Sequence, residues 1–240
     1  MLDVWYLRDP VVTQPVLGAD EQARASRFLC ERSAATYRAA HTLKRRVLSH
    51  YRPDIAPADW RFGTNTWGKP AVATPAVAPA FNLTHGGEAI AVAVCDADVG
   101  VDIERVRPLA HVDEVARHVF HPRELAWLDE QPGRMPAFFR LWTLKEALLK
   151  AAGTGFSHPA RLLAWQGLDE SWATAEFGGR TWVGATRAIG GETVLSVAVP
   201  LGHDIDAARL LRLPSACLDV QCALSPKAGP FLLRASSPID

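Results

Sequence analysis

Asp102 and Glu104 stand two residues apart in the run Val99-Gly100-Val101-Asp102-Ile103-Glu104. In an extended strand, residues i and i+2 share a face, so both carboxylates leave one side while Val101 and Ile103 pack on the other. Two converging carboxylates repel, and a hard divalent cation compensates them. Magnesium takes oxygen ligands in an octahedron and is commonly shared between carboxylates and substrate phosphates. A solvated strand face would carry the same pair, so a second element has to join it. The run Trp142-Thr143-Leu144-Lys145-Glu146-Ala147-Leu148-Leu149-Lys150 supplies one. Glu146 and Lys150 are four apart and share a helix face. Trp142 and Phe139 lie on that side too, which argues for a covered face rather than an exposed ion pair worth about 0.3–0.5 kcal/mol. A carboxylate and an amine on a covered face need partners beyond each other. A metal–pyrophosphate complex satisfies both, Glu146 ligating the cation and Lys150 meeting phosphate.

The elements that must position these groups are legible in the same chain. Residues 4–7 (Val-Trp-Tyr-Leu) form a short strand. The composition over 19–51 is helical, closed by Arg52-Pro53, and Ser33 can restart it as an N-cap to give two helices. Residues 71–80 (AVATPAVAPA) are too rich in Pro and Ala for a regular element and are expected to cross the surface extended. Residues 88–95 read as a small apolar strand, Asp96-Ala97-Asp98 breaks it, and 99–104 resumes as a strand, the pattern of a β-hairpin. Helices are expected around 111–118 and 122–131, the second with Pro122 in its first turn. The strongest helix covers 136–152, with Gly153 where a left-handed cap belongs. Strands follow at 181–183 and 193–199. Gly190-Gly191-Glu192 followed by TVLSVAV echoes Gly86-Gly87-Glu88 followed by AIAVAV, and His203-Asp204-Ile205-Asp206 echoes Val101-Asp102-Ile103-Glu104. An echo at roughly a hundred residues is too long for a solenoid and suits two related lobes; matches this short also arise by chance.

A length of 240 residues suits one large domain or two small lobes. With 26 basic and 26 acidic side chains the net charge is zero, so no global field selects nucleic acid or an anionic membrane as a partner. The start, MLDVWYLRDP, lacks the pattern of a signal peptide, and no apolar run reaches the ~20 residues of a membrane helix, so a cytoplasmic protein is expected. Cys30, Cys95, Cys217 and Cys222 show no Cys-x-x-Cys spacing. They are read as buried or free thiols in a reducing compartment, with zinc or disulfides as the alternative.

Taken together, the chemistry-bearing residues resemble the surfactin-type 4′-phosphopantetheinyl transferase family. Gly100-Val101-Asp102-Ile103-Glu104 matches its G-[VI]-D-[IVL]-E signature, and 142–151 matches W-[ST]-x-K-E-[AS]-x-x-K-[AT]. Phe81-Asn82-Leu83-Thr84-His85 is similar to F-N-[ILV]-S-H with Thr for Ser, Gly68-Lys69-Pro70 matches G-K-P, and Phe120 followed by Glu124 matches F-x-x-x-E. The motifs occur in order over 68–151; the last forty residues match nothing usable.

The resemblance implies an α+β fold of two similar lobes related by a pseudo-twofold, each a small antiparallel sheet packed with helices. Residues 1–100 would form an N-terminal lobe with nucleotide contacts. Residues 101–240 would form a C-terminal lobe with the metal ligands and the catalytic helix, the active site lying in the cleft. It implies transfer of 4′-phosphopantetheine from coenzyme A to a serine of an apo acyl or peptidyl carrier protein, releasing adenosine 3′,5′-bisphosphate. Asp102, Glu104 and Glu146 would ligate Mg²⁺, with Mn²⁺ undecidable from oxygen ligands. Glu146 is the leading candidate for the base that activates the serine, Glu124 the reserve, and Lys150 would neutralise phosphate charge. Lys69, Asn82, Thr84 and His85 would contact coenzyme A, Lys69 at its 3′-phosphate. Of the bases Arg24, Arg27, Arg38, Lys44, Arg45 and Arg46, most are expected on the solvated surface, and Arg24, one turn before Phe28, is taken as the nucleotide contact. No second catalytic metal is expected at 203–206, which no Lys-Glu helix follows. A monomer is expected. The alternatives are a magnesium-dependent phosphohydrolase acting on coenzyme A and an inactive coenzyme A-binding homologue. A P-loop kinase is set aside, because no G-x-x-x-x-G-K-[ST] run exists.

Overall fold

The computed structural model describes residues 1–155, 160–203 and 209–212. The elements run β1 (Leu2–Arg8), α1 (Ala19–Ala25), α2 (Glu31–Tyr51), β2 (Arg61–Thr64), β3 (Pro70–Thr74), β4 (Ala80–Gly86), β5 (Ala89–Cys95) and β6 (Gly100–Arg105). Then follow α3 (Val112–Val119), α4 (Pro122–Glu130), α5 (Arg134–Ala152), β7 (Ala173–Phe177), β8 (Arg180–Ile189), β9 (Thr193–Pro200) and β10 (Arg209–Arg212). No described helix is long and apolar enough to cross a membrane.

Burial patterns decide the layering. β5 is apolar along its whole length because both of its faces are covered. Ala89, Ala91, Ala93 and Cys95 face one core and Ile90, Val92 and Val94 another. β5 lies inside a sheet of order β10-β1-β5-β4, with β10 parallel to β1 and the other neighbours antiparallel. A second sheet, β6-β9-β8-β7, is antiparallel throughout. The inner faces of the two sheets pack together through Val4, the β5 alanines, Val101, Ile103, Val197 and Val199, and the small alanines let the sheets approach. α2 covers the outer face of the first sheet. α5, with residues of α3 and α4, covers that of the second, and it is apolar nearly all round because it is buried on most sides. It ends, as expected, on Gly153 at φ 72°.

The hairpin expected over 88–104 does not form. β5 pairs with β4 and β1, whereas β6 pairs with β9, so Asp96-Ala97-Asp98 carries the chain from one sheet to the other. Hairpins form instead at β4–β5 and β8–β9, among others, turned by Gly87 (φ 59°) and by Gly190 and Gly191 (φ 61° and 85°), in the backbone region glycine enters freely. These are the segments that echo one another in the sequence. Their surroundings match as well: β5 lies between β1 and β4 as β9 lies between β6 and β8. The expected α+β fold of two similar lobes is therefore found. Its first sheet gains a parallel edge strand, because β10 returns to β1 and Arg209 pairs with buried Asp3. The expected division at residue 100 puts that strand with the C-terminal lobe, whereas it pairs in the first sheet.

Other expectations need correction. Part of the stretch 71–80 is regular, since Pro70–Thr74 forms β3 against β2. α2 begins at Glu31 rather than at a Ser33 cap. Lys44, Arg45 and Arg46 are buried, not solvated. α1 folds back on α2 and brings Glu21 against them, its carboxylate accepting from Lys44 Nζ at 2.6 Å, Arg45 Nε at 2.8 Å and Gly18 N at 2.8 Å. Burial opposes ionisation of Glu21, yet His41 and Lys44 hold it below the usual carboxylate range. Asp204, Ile205, Asp206, Cys217 and Cys222 lie outside the described residues.

Candidate active site

Strand alternation on β6 sends Val101 and Ile103 into the core between the sheets and leaves Asp102 and Glu104 on the side where α5 packs. β4 runs beside β6 without pairing to it in a sheet. A Cβ on Gly86 would overlap the carbonyl oxygen of Ile103, so glycine is required where the two strands approach. Asn82, on β4, staples the lobes by accepting from the Val101 N–H at 2.9 Å. Thr84 and His85 sit on the same strand.

Asp102 is 5% exposed. Its Oδ1 accepts from Lys150 Nζ at 2.5 Å and from Thr84 Oγ1 at 3.0 Å, and Lys150 also reaches Thr84 Oγ1 at 3.2 Å. Asp102 Oδ2 is buried and has no hydrogen-bond partner among the described residues. Burial and the negative Asp102 raise the Glu104 carboxyl above its ordinary value, while Arg107, 3.2 Å from Oε2, opposes the shift. Glu146 is pushed up to about 7 by burial and by Asp102 and Glu104, against the pull of Lys150. The three carboxylates thus crowd one charged neighbourhood. An orphaned buried oxygen among crowded carboxylates is a place that a divalent cation suits. The all-oxygen donor set of Asp102, Glu104 and Glu146 fits Mg²⁺.

Next to this cluster lies a cavity of about 230 Å³, lined by Lys150, Lys69, Asn82, Leu83, Trp67 and Gly153 among others. The tip of the β2–β3 hairpin closes it over the end of α5. Asn65 Nδ2 donates to Gly153 O at 3.0 Å, and Lys69 Nζ to Ala151 O at 2.6 Å. Lys69 therefore sits at the negative end of the helix dipole, and burial lowers its pKa. His85 is exposed, and the charges of Lys150 and Asp102 act on it. Arg24 lines a different cavity, of about 550 Å³, with Asp20, Ala23, Arg27 and Phe28, and its guanidinium lies 5.8 Å from the Tyr37 ring centroid. The two cavities share no described lining residue.

Glu124 does not join the cluster. It is fully buried, pairs with Lys145 Nζ at 2.8 Å, and accepts from His121 N at 2.8 Å and Trp165 N at 3.0 Å. A carboxylate with both oxygens engaged inside a core cannot take a proton from a substrate, so its reserve role as base is withdrawn. Lys145, passed over in the sequence reading, is its partner and also donates to the carbonyls of Ala160 and Leu163, at 2.7 and 2.5 Å. The signal that could have marked Glu124 as structural is the capping box His121-x-x-Glu124; none pointed to Lys145.

Residues 98–192 match the model of the 4′-phosphopantetheinyl transferase superfamily. The 4′-phosphopantetheinyl transferase HetI of Nostoc sp. (strain PCC 7120) is 33% identical over 146 residues, covering 59% of this chain and 61% of that protein. The 4′-phosphopantetheinyl transferase Sfp of Bacillus subtilis (strain 168) is 29% identical over 146 residues, covering 60% and 63%, and psf-1 of Bacillus pumilus is 34% identical over 149 residues, covering 60% and 61%. The chain thus spans about three-fifths of the length of these relatives. The match runs from β6 to the turn before β9, and over that stretch the resemblance read from the motifs is borne out.

Proposed function

We propose that this protein transfers 4′-phosphopantetheine from coenzyme A to a serine of an apo acyl or peptidyl carrier protein. The observation that carries the reading is the convergence of Asp102, Glu104, Glu146 and Lys150 beside a cavity at the lobe junction, inside the segment that matches the superfamily. Asp102, Glu104 and Glu146 would hold Mg²⁺, which when bound neutralises charge on the pyrophosphate oxygens. Lys150, held by Asp102 and Thr84, is the cation that meets the phosphates, and Thr84 and His85 donate hydrogen bonds to them. Lys69 contacts the 3′-phosphate, and Arg24 the nucleotide, from the N-terminal lobe. In the transfer, the serine Oγ bonds to the β-phosphorus and its bond to the bridging oxygen breaks. Adenosine 3′,5′-bisphosphate leaves with that electron pair. The serine proton passes to Glu146, directly or through a water. One chain contains both lobes, so a monomer suffices, and the free thiols of Cys30 and Cys95 suit a reducing cytoplasm.

The deciding experiment incubates the protein with coenzyme A, Mg²⁺ and several purified apo-carrier proteins and follows the phosphopantetheine adduct by mass spectrometry. Coenzyme A hydrolysed with no adduct on any carrier would replace the transferase by a phosphohydrolase. Lys69→Ala should raise KM for coenzyme A and weaken discrimination against the analogue lacking the 3′-phosphate. Unchanged discrimination would leave Lys69 as the cation that caps α5.

Magnesium should also stabilise the fold in a pH-dependent way. The folded-state value of Glu146 is raised from 4.5 to about 7, so in the metal-free protein ionising this group costs stability as pH rises through that window. A bound cation needs the carboxylate and competes with the proton, so affinity at pH 6 should be about tenfold weaker than at pH 8. The rise in Tm on adding magnesium is therefore expected to be larger at pH 8. Equal rises at both pH values would remove Glu146 from the ligand set.

A further inference from the structure

At the passage between the two sheets lies a cluster that the transferase chemistry does not use. Cys95 ends β5 with its side chain buried, Asp96 opens the crossing to β6, and His203 stands in the turn after β9. Cys95 Sγ lies 3.4 Å from Asp96 Oδ1, and His203 Nε2 lies 3.5 Å from the same oxygen. Ligand atoms of all three residues fall within 4.8 Å of one another. Zinc with bonds of about 2.3 Å to sulfur and about 2.0 Å to nitrogen and oxygen, at tetrahedral angles, holds sulfur about 3.5 Å and nitrogen about 3.3 Å from the oxygen. The two observed separations match those edges. Asp96 Oδ2 accepts from the Met1 amino group at 3.1 Å, which leaves Oδ1 toward the thiol and the imidazole. His203 Nδ1 is buried with no hydrogen-bond partner among the described residues.

The donor set separates this place from the carboxylate cleft. Oxygen alone suits magnesium, whereas thiolate, imidazole and one carboxylate select a borderline-soft metal. We propose that Cys95, Asp96 and His203 bind one Zn²⁺, a water completing the tetrahedron, and so clasp the crossing from the first sheet to the turn that leaves the second. As the Sγ–Zn bond forms, the Cys95 thiol proton leaves to solvent; the histidine binds neutral and the aspartate already ionised. The clasp ties the two lobes at their covalent junction, and it does not depend on the transferase reading.

Cobalt(II) serves as the probe, added to the full chain carrying Cys30→Ser, Cys217→Ser and Cys222→Ser with magnesium saturating the oxygen site. One equivalent should produce a near-ultraviolet sulfur-to-cobalt charge-transfer band together with the visible spectrum of a tetrahedral ion, and zinc should displace it. Cys95→Ser should abolish the band, and His203→Ala should weaken cobalt binding by at least about tenfold. Zinc should raise Tm in the parent protein but not in His203→Ala, a half-exposed position where the substitution leaves folding intact. Absence of the sulfur band from the parent, or a band of full strength and affinity in His203→Ala, would overturn the site. A parent protein that binds zinc with no change in Tm would overturn the clasp.

Discussion

Glu146→Gln is expected to lower kcat/KM for carrier modification by about 10²–10⁴-fold, the range associated with losing a positioned general base. Its metal-free Tm should be no lower than that of the parent. The two readouts move apart because Glu146 is electrostatically uncomfortable in the folded protein. Burial and the neighbouring Asp102 and Glu104 push its carboxyl up to about 7, so a neutral amide of the same shape relieves repulsion. A residue retained only for structure would do the reverse, costing stability while leaving turnover intact. Asp102→Ala should also abolish transfer, for a different reason. It deletes the orphaned oxygen Oδ2 and frees Lys150 from its 2.5 Å contact, so magnesium affinity falls together with activity. Wild-type rates in either variant would remove that residue from the mechanism. A loss in Glu146→Gln that is fully restored by excess magnesium would make Glu146 a ligand and not a base.

Lys145→Met is expected to produce the largest loss of stability among single substitutions in the helix layer, about 3–5 kcal/mol, because it strands the charge of Glu124 inside the core. Lys145 is 1% exposed and Glu124 0%. Glu124 ties α4, the segment at Trp165 and α5 together, and Lys145 holds the carbonyls of Ala160 and Leu163. The check is the urea midpoint at unchanged m, which isolates stability from changes in compactness. The double replacement Glu124→Leu with Lys145→Met should recover part of the loss, since an apolar pair of similar volume no longer buries a lone charge. A shift below about 1 kcal/mol, as for an exposed pair, would show that the two groups are hydrated. Glu124→Gln, assayed well below its melting temperature, should keep a near-parental kcat. A hundredfold fall there would return Glu124 to the chemistry.

Much of the site was legible before any tertiary structure. The i, i+2 spacing of Asp102 and Glu104 and the i, i+4 spacing of Glu146 and Lys150 determine which side chains can converge, because strand and helix periods are local geometry. The apolar run of β5, the proline opening α4 and the glycine ending α5 are local as well, and each element formed. Strand pairing is not local. β5 is apolar on both faces, so its pattern carries no mark of its neighbour, and a polar break such as Asp96-Ala97-Asp98 serves equally to reverse a chain or to pass it to another sheet. Only the packing of the inner faces selected the passage, and with it the place of β6 beside β4, where Thr84 meets Asp102. The same holds for charge. Lys44 and Arg45 read as surface bases in sequence and are buried, because Glu21 reaches them from another element, as Glu124 reaches Lys145. Sequence determined which groups could act, through the short-range geometry of the backbone. Tertiary structure set two similar carboxylates apart, since Glu124 is spent on a core lysine while Glu146 is left beside two of its own charge.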